Sequence, residues 1–301
     1  MAAGLVSILM PSYNCQNYIR QAIDSILNQT YTNFELLIAD DCSTDNTKQI
    51  IDSYSDMRIK RFHNEKNLGY LKTSNLLFRQ ACGYYITFQD ADDYSDLKRI
   101  EILVEYLANH PEIDCIGSNI VKISENGEVI SESNYPLKHS QIIDQFLDFR
   151  IVMTGSALMI RRKIMDEVGV YNDYFDRIGS EDIYWYSLIT DKHTVANLQQ
   201  ALYYYRSNPT SVSVSHKNPK AFVGHELIVL MFKKRKQNKP DFLNLKDFSK
   251  VDKYVGFLLA IKKQQVSRIK RVLTFIGLYL RSPLVGVEFT GQFVRKIIHN
   301  F

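Results

Sequence analysis

Cysteine is sparse in this 301-residue chain. Cys15, Cys42, Cys82 and Cys115 are scattered and never form a CxxC pair. That argues against a zinc site or a disulfide framework and fits a reducing compartment. Long apolar runs are missing too, since no stretch reaches the ~18 residues needed to span a bilayer. The first segment, MAAGLVSILMPSYN, lacks a basic n-region and ends in Pro-Ser-Tyr-Asn, so it reads as a first strand rather than a signal peptide. There is no internal repeat, no low-complexity linker and no nucleic-acid-binding motif. What is present is a core-forming composition, 45% hydrophobic, 12% aromatic and 23% charged, which argues against disorder. The length suits one large domain, or a domain with an appendage.

Charge is unevenly placed. The net charge is +4, yet residues 217–301 hold 18 Lys/Arg against 5 Asp/Glu, while residues 1–216 hold 19 against 28. An acidic body carries a basic tail, and such asymmetry predicts an anionic partner for the tail.

Strand and helix patterns alternate over residues 1–120. Residues 5–10 read as a buried strand. The segment NYIRQAIDSILNQTY places Ile19, Ala22, Ile23, Ile26 and Leu27 at helical spacing. FELLIADD, RIKRFHN and YYITFQDADD read as further strands, and STDNTKQIIDSY, YLKTSNLLFRQAC and LKRIEILVEYLANH as helices. Such alternation implies crossover units and a mostly parallel central sheet flanked by helices, an α/β fold of nucleotide-binding type. Over 121–216 the pattern loosens. NGEVI suggests a hairpin or turn, TGSALMIRRKIMDEVG a strand entering a helix, RIGSEDIYWYSLIT an acidic pair before a helix, and LYYYRSNPTSVS a strand entering a polar loop. Residues 217–301 read as a basic, amphipathic helical extension.

Ligands of open parallel sheets bind beyond the carboxyl ends of the strands. Three predicted strands end in polar groups: Ser12-Tyr13-Asn14, Asp40-Asp41 and Asp90-Ala91-Asp92. Tyr13 offers an aromatic face to a planar ring. One carboxylate of the Asp40/Asp41 pair can accept from a ring N–H. Asp90 and Asp92 offer hard oxygens to Mg²⁺ or Mn²⁺. Such a metal neutralises a nucleotide diphosphate that carboxylates alone would repel.

The stretch SILMPSYNCQNYIRQAIDSILNQTYTNFELLIADDCSTDNT closely resembles the N-terminus of family 2 glycosyltransferases, which are inverting enzymes of the GT-A fold. The resemblance continues through EKNLGYLKTSNLLFRQACGYYITFQDADD, which holds the family's DxD as Asp90-Ala91-Asp92. It reaches SEDIYWYS, similar to the family's Glu-Asp motif, and then YYYRSNPTSVS. It covers about residues 4–216 and does not reach 217–301. It implies a GT-A catalytic domain over 1–216, with a nucleotide-binding half 1–120 and an acceptor-side half 121–216. By resemblance, Pro11 and Tyr13 line a base pocket and Asp41 reads the uracil N3–H. Asp90 approaches the ribose and the metal, and Asp92 binds the metal. Asp182 is the general base and Glu181 positions acceptor or base. Arg206 belongs to a loop closing over the diphosphate, and Lys72 and His216 contact phosphate or metal. The implied donor is a UDP-sugar, with Mn²⁺ or Mg²⁺, and the acceptor is a surface glycan, lipid-linked or free. One departure from the family pattern puts acceptor contacts in question: Ile183-Tyr184-Trp185 follow the acidic pair, where many relatives carry a charged residue.

Simpler roles compete. Tyr13 can cap a strand. Ser43 and Asp45 suit the cap of the helix after the second strand, which leaves Asp41 free. Asp93 reads as a solvated or helix-capping carboxylate. Glu181 and Asp182 also suit a helix N-terminus, where the dipole favours acids. His216 reads as a surface histidine, Trp185 as core and the cysteines as small core residues. The tail is either a solvated basic face or an interfacial amphipathic segment, VSRIKRVLTFIGLYLRSPLVGVEF, for an anionic membrane. A nucleic-acid partner is not expected; a homo-oligomer is left open. A nucleotidyltransferase would carry a Gly-rich basic loop where PSYNCQNY stands. The other rival is a nucleotide-sugar binder that has lost turnover.

Overall fold

The computed structural model describes residues 4–207 and 218–262. The chain divides into two compact units, with the boundary between residues 215 and 216.

The first unit alternates strands and helices as the sequence patterns require. In order these are β1 (Val6–Ser12), α1 (Ile19–Leu27), β2 (Phe34–Asp40), α2 (Thr47–Asp52), β3 (Ile59–His63), α3 (Tyr70–Gln80), β4 (Tyr85–Phe88), β5 (Tyr94–Ser95), α4 (Arg99–Asn109) and β6 (Cys115–Ile123). The second half adds β7 (Val129–Glu132), α5 (His139–Leu147), a 3₁₀ turn Gly155–Ala157, β8 (Met159–Arg161), α6 (Lys163–Val168), α7 (Glu181–Lys192) and β9 (Val195–Arg206). Each early helix buries one stripe. In α1 it is Ile19, Ala22, Ile23 and Ile26; in α4 it is Ile100, Leu103, Val104 and Leu107. Full burial of one such side chain stabilises by roughly 1.5–3 kcal/mol. β1 and β2 are buried along their whole length, as strands covered by helices on both faces must be.

Among the described residues one sheet holds the strands in the order β3-β2-β1-β4-β8-β6-β9-β5, with β7 added on β6. β3, β2, β1 and β4 are mutually parallel, which is the crossover half expected from the alternation. Beyond β4 the sheet is mixed. β8 runs antiparallel to both β4 and β6, β9 is parallel to β6, and β5 is antiparallel to β9. The register explains the change: Met159 lies beside Thr87 and Arg161 beside Tyr85, so β8 enters from the carboxyl end of β4 and runs back. The NGEVI segment forms the hairpin between β6 and β7, closed by Ser124 N–H to Glu128 O at 2.7 Å.

Beneath the carboxyl ends an aromatic cluster fills the interior. Phe78, Phe88, Tyr171 and Trp185 pack with ring centres 5.2–6.1 Å apart. Trp185 is 1% exposed and its indole N–H donates to Gly169 O at 2.8 Å, so it is core. Of the cysteines only Cys115 is fully buried. Cys82 is exposed in the loop between α3 and β4, where its backbone N–H donates to Glu35 instead.

In the second unit a 3₁₀ turn, Pro219–Val223, leads into α8 (Gly224–Lys236), and α9 (Phe248–Lys262) follows. Leu227–Phe232 of α8 are buried. The buried Lys234 ammonium lies 4.6 Å from the Phe242 ring centre and 5.3 Å from that of Tyr254. The expected amphipathic segment VSRIKRVLTFIGLYLRSPLVGVEF lies outside the described residues.

Candidate active site

The ends of β1 and β2 are laced together. The Asn14 side chain, on a left-handed backbone (φ 51°), accepts from Thr44 N–H at 2.8 Å, and Asn14 N–H donates to Ser43 Oγ at 3.0 Å. The N-cap of α2 is Asn46, whose side chain makes no cap bond; Asp45, one residue before it, accepts from the N–H groups of Gln16 and Thr47, at 3.1 and 2.9 Å. This leaves the Tyr13 ring 44% exposed above the crevice. Pro11 is buried within β1 and sits opposite Ala39. Its missing N–H costs no sheet bond. Leu9 and Pro11 face β4 along the strand, and the β4 ladder stops at Leu9.

Asp41 is more occupied than its sequence reading suggests. One oxygen accepts from Asn64 Nδ2 and Leu68 N–H, each at 2.8 Å, and the other from Gly69 N–H at 2.8 Å. Three of a carboxylate's roughly four acceptor positions therefore hold the 64–69 loop. Gly69 fits because its φ of 90° is open to glycine and strained for other residues. The loop delivers Tyr70, the first residue of α3, to the next group of acids.

β4 ends at Phe88, and the chain turns through Asp90–Asp93, closed by Asp93 N–H to Asp90 O at 3.2 Å. The Tyr70 hydroxyl donates to Asp90 Oδ1 at 3.1 Å, and Asp90 N–H donates to the Tyr203 hydroxyl at 3.0 Å. Burial, and then the Asp92 charge, push the Asp90 carboxyl up to about 7; Asp182 adds to the push. Asp93 departs from expectation. It is 2% exposed, not solvated, and accepts from Arg206 N–H at 2.6 Å. Burial raises it far above the ordinary carboxylate range, with Asp92 and Asp90 adding to the effect.

Arg206 is a second departure. It is the last residue of β9, and its guanidinium is buried and committed. Nε donates to Asp92 O at 2.8 Å, Nη1 to Glu125 O at 2.8 Å and Nη2 to Gln21 Oε1 at 2.7 Å, while the Tyr18 ring centre lies 4.8 Å away. A side chain held at so many points ties the Asp90–Asp93 turn to the loop after β6 and to α1. Lys72, half exposed, pairs with Asp176 at 2.5 Å. His216 lies outside the described residues.

The acidic pair opens α7. The chain reaches it through Gly179 (φ 87°) and Ser180 (φ 72°), two successive left-handed residues. Arg177, from the same turn, donates to Asn67 Oδ1 at 3.0 Å and so ties this segment to the 64–69 loop. Glu181 is buried. Burial, then the Asp182 charge, push it up to about 8, with Asp90 and Asp176 adding to the rise. Asp182 is raised by burial and restrained by N–H groups, Ile183 N–H reaching Oδ1 at 2.8 Å and Gly155 N–H also bearing on it. Gly155 presses on this carboxylate so closely that a Cβ there would sit 2.6 Å from Asp182 Oδ2.

The structure thus brings Asp90, in the turn after β4, near Glu181 and Asp182 of α7, with Tyr70 close to all three and Asp92 beside Asp90. Tyr70, Gly155 and Tyr203 were missed from sequence; a glycine before a strand in TGSALMI and a tyrosine after Asn-Leu-Gly were the only signals. Among the described residues no three His, Cys, Asp or Glu side chains converge into a ready-made metal site. Two carboxylates so placed that the charge of Asp92 raises Asp90 nonetheless suit a hard divalent cation that takes its remaining ligands from diphosphate oxygens. An open groove of about 700 Å³ lined by Arg20, Asp24, Tyr94 and Tyr204 contains none of these acids, and carboxylate chemistry rather than concavity identifies the site.

The chain matches the description "Glycosyl transferase family 2" over residues 7–169. It is 32% identical over 225 residues to an uncharacterized glycosyltransferase of Haemophilus influenzae, covering 71% of this chain and 69% of that protein. It is 30% identical over 211 residues to the Escherichia coli UDP-Glc:alpha-D-GlcNAc-diphosphoundecaprenol beta-1,3-glucosyltransferase WfgD, covering 69% of this chain and 79% of that one. Among solved structures, S. aureus TarS 1-349 in complex with UDP-GlcNAc superimposes with a TM-score of 0.64 at 19% identity, over 97% of this chain and 81% of that one. That likeness is one of fold, and it is the GT-A architecture.

Proposed function

Because this chain belongs to glycosyl transferase family 2, and is therefore a glycosyltransferase, we propose that it moves a hexosyl or N-acetylhexosaminyl group from a UDP-sugar to a hydroxyl of a growing surface glycan, with inversion at the anomeric carbon. The carrying observation is the approach of Asp182, held against Gly155, to the Asp90–Asp92 turn, close enough that Asp182 raises Asp90. Similarity to a glucosyltransferase named for UDP-Glc and a diphosphoundecaprenol acceptor supports a UDP donor and a lipid-linked acceptor.

Each residue then has one task. Tyr13 stacks on the base, and the remaining acceptor position of Asp41 meets its N–H. Asp90 and Asp92 would hold Mn²⁺ or Mg²⁺ together with the donor diphosphate. When bound, that ion neutralises charge building on the departing UDP. Asp182, ionised, takes the acceptor hydroxyl proton on the opposite face of the sugar, and Glu181 orients it. A base on one face and a leaving group on the other require a single in-line displacement, so an α-linked donor yields a β-linked product. The basic tail favours attachment to the anionic, cytoplasmic face of a membrane, at about 1 kcal/mol per basic residue near the surface. Among the described residues no helix is long and apolar enough to cross one.

Thermal unfolding with nucleotide diphosphates and UDP-sugars, with and without Mn²⁺, tests the donor side. A Mn²⁺-dependent rise with UDP that is absent in Asp92→Asn is expected; a rise only with another nucleotide overturns the base assignment. Asp182→Asn is expected to retain UDP binding and lose roughly 10²–10⁴-fold in turnover. Full activity in that variant removes Asp182 as the base.

A further inference from the structure

Arg99, in the first turn of α4, is completely buried. Its Nη1 donates to Phe88 O and Ser95 Oγ, each at 3.0 Å, and its Nη2 to Thr87 Oγ1 and Ser156 O, each at 2.8 Å. The Tyr203 ring centre lies 5.0 Å from the guanidinium carbon, and Nε finds no partner among the described residues. Every one of these acceptors is neutral. A buried cation without a bonded carboxylate is expensive, and an apolar side chain of similar volume would fill the space at lower cost. Burial draws this guanidinium down to about 10, against the opposing pull of the nearby Tyr203, Asp90 and Asp93, to none of which it hydrogen-bonds. Packing alone therefore does not account for an arginine here.

An arginine offers what an apolar side chain lacks, a rigid fork with donors in fixed directions. Here it joins the end of β4, two residues before Asp90, to β5 and to the carbonyl of Ser156. Ser156 adjoins Gly155, which presses on Asp182, and its side chain is hydrogen-bonded to Asp90. We propose that Arg99 is a positioning residue for sugar transfer, locking the Asp90 end of β4 to the Gly155–Ser156 turn so that the donor-holding carboxylates and the base keep a fixed separation. This rests on the proposed roles of Asp182 and Asp90. It assigns no contact with substrate to Arg99.

The test is a double-mutant cycle in the full chain using Arg99→Met, Asp182→Asn and the pair, with hydrogen exchange on the same preparations. Misplacing reacting groups by about an ångström costs on the order of a hundredfold. Arg99→Met is therefore expected to lose about that factor in kcat with little change in donor KM. Added to Asp182→Asn it should cost almost nothing more, since both act on one step. Arg99→Lys should recover part of the loss. Losses that multiply in the pair, or a loss expressed wholly in donor KM, overturn the proposal. Amides 154–158 should exchange faster in Arg99→Met while those of β1 and β2 are unchanged; unaltered exchange at 154–158 overturns the lock. If Arg99→Met does not fold, Arg99→Lys carries the same cycle. If the wild-type chain transfers no sugar, the transferase reading fails by itself, and the exchange measurement still decides whether the lock exists.

Discussion

Glu181 carries its proton far above the usual range, up to about 8 from an ordinary 4.5, because it is buried and faces Asp182, Asp90 and Asp176. The folded state thus binds a proton that the unfolded chain releases. The stability it contributes is fully present below about pH 4.5 and is lost as pH rises through about 8. Urea midpoints should fall between pH 5.5 and 8 in the wild type, and Glu181→Gln should flatten that fall. Asp182 is raised too, and under the proposed mechanism it works ionised, so the acidic limb of kcat against pH should lie above the ordinary carboxylate range. Gly155→Ala would drive a methyl to within 2.7 Å of the Asp182 Cβ. Overpacking of this kind typically destabilises by about 1–3 kcal/mol. Turnover should fall by more than the loss of folded protein explains, as kcat and thermal unfolding measured together will decide.

At the scale of elements, β9 matters for what it carries. Tyr203 and Arg206 reach the Asp90–Asp93 turn because β9 pairs with β5 antiparallel, Tyr94 beside Tyr204 and Ser95 beside Tyr203. Arg206→Met would strand the Asp92 and Glu125 carbonyls and the Gln21 side chain. Gln21 and Glu125 are exposed and can turn to water, whereas Asp92 is not exposed. A buried polar group left unsatisfied costs about 1–3 kcal/mol, so a loss of about that size is expected in denaturant titrations. Mn²⁺-dependent UDP binding should weaken alongside. None of this was legible in YYYRSNPTSVS, because an arginine before a polar loop reads alike whether it points outward or inward. α1 was legible residue by residue, since its stripe follows from helical spacing alone. β5, only two residues long, has no periodicity to read, and its presence depends wholly on its partner strand.

Over the whole molecule the charge imbalance is the feature most open to direct test. Residues 217–301 carry 18 Lys/Arg against 5 Asp/Glu. Full-length protein should sediment with anionic vesicles at low salt and release as salt rises, because exposed charges are screened within about 10 Å at 0.1 M. Indifference to anionic lipid at low salt counts against membrane attachment. The sequence by itself determined the crossover half of the sheet, the aspartates at its strand ends, the acidic pair before α7 and the basic tail, because each is written in local spacing and composition. Only the tertiary structure decided that Asp41 holds a loop, that Asp93 is buried, that Lys72 meets Asp176, that Arg99 ties the end of β4 to Ser156, and that Arg206 holds the Asp90–Asp93 turn. Those outcomes depend on which distant backbone groups come within about 3 Å, and a hydrogen-bond partner a hundred residues away leaves no trace in local pattern.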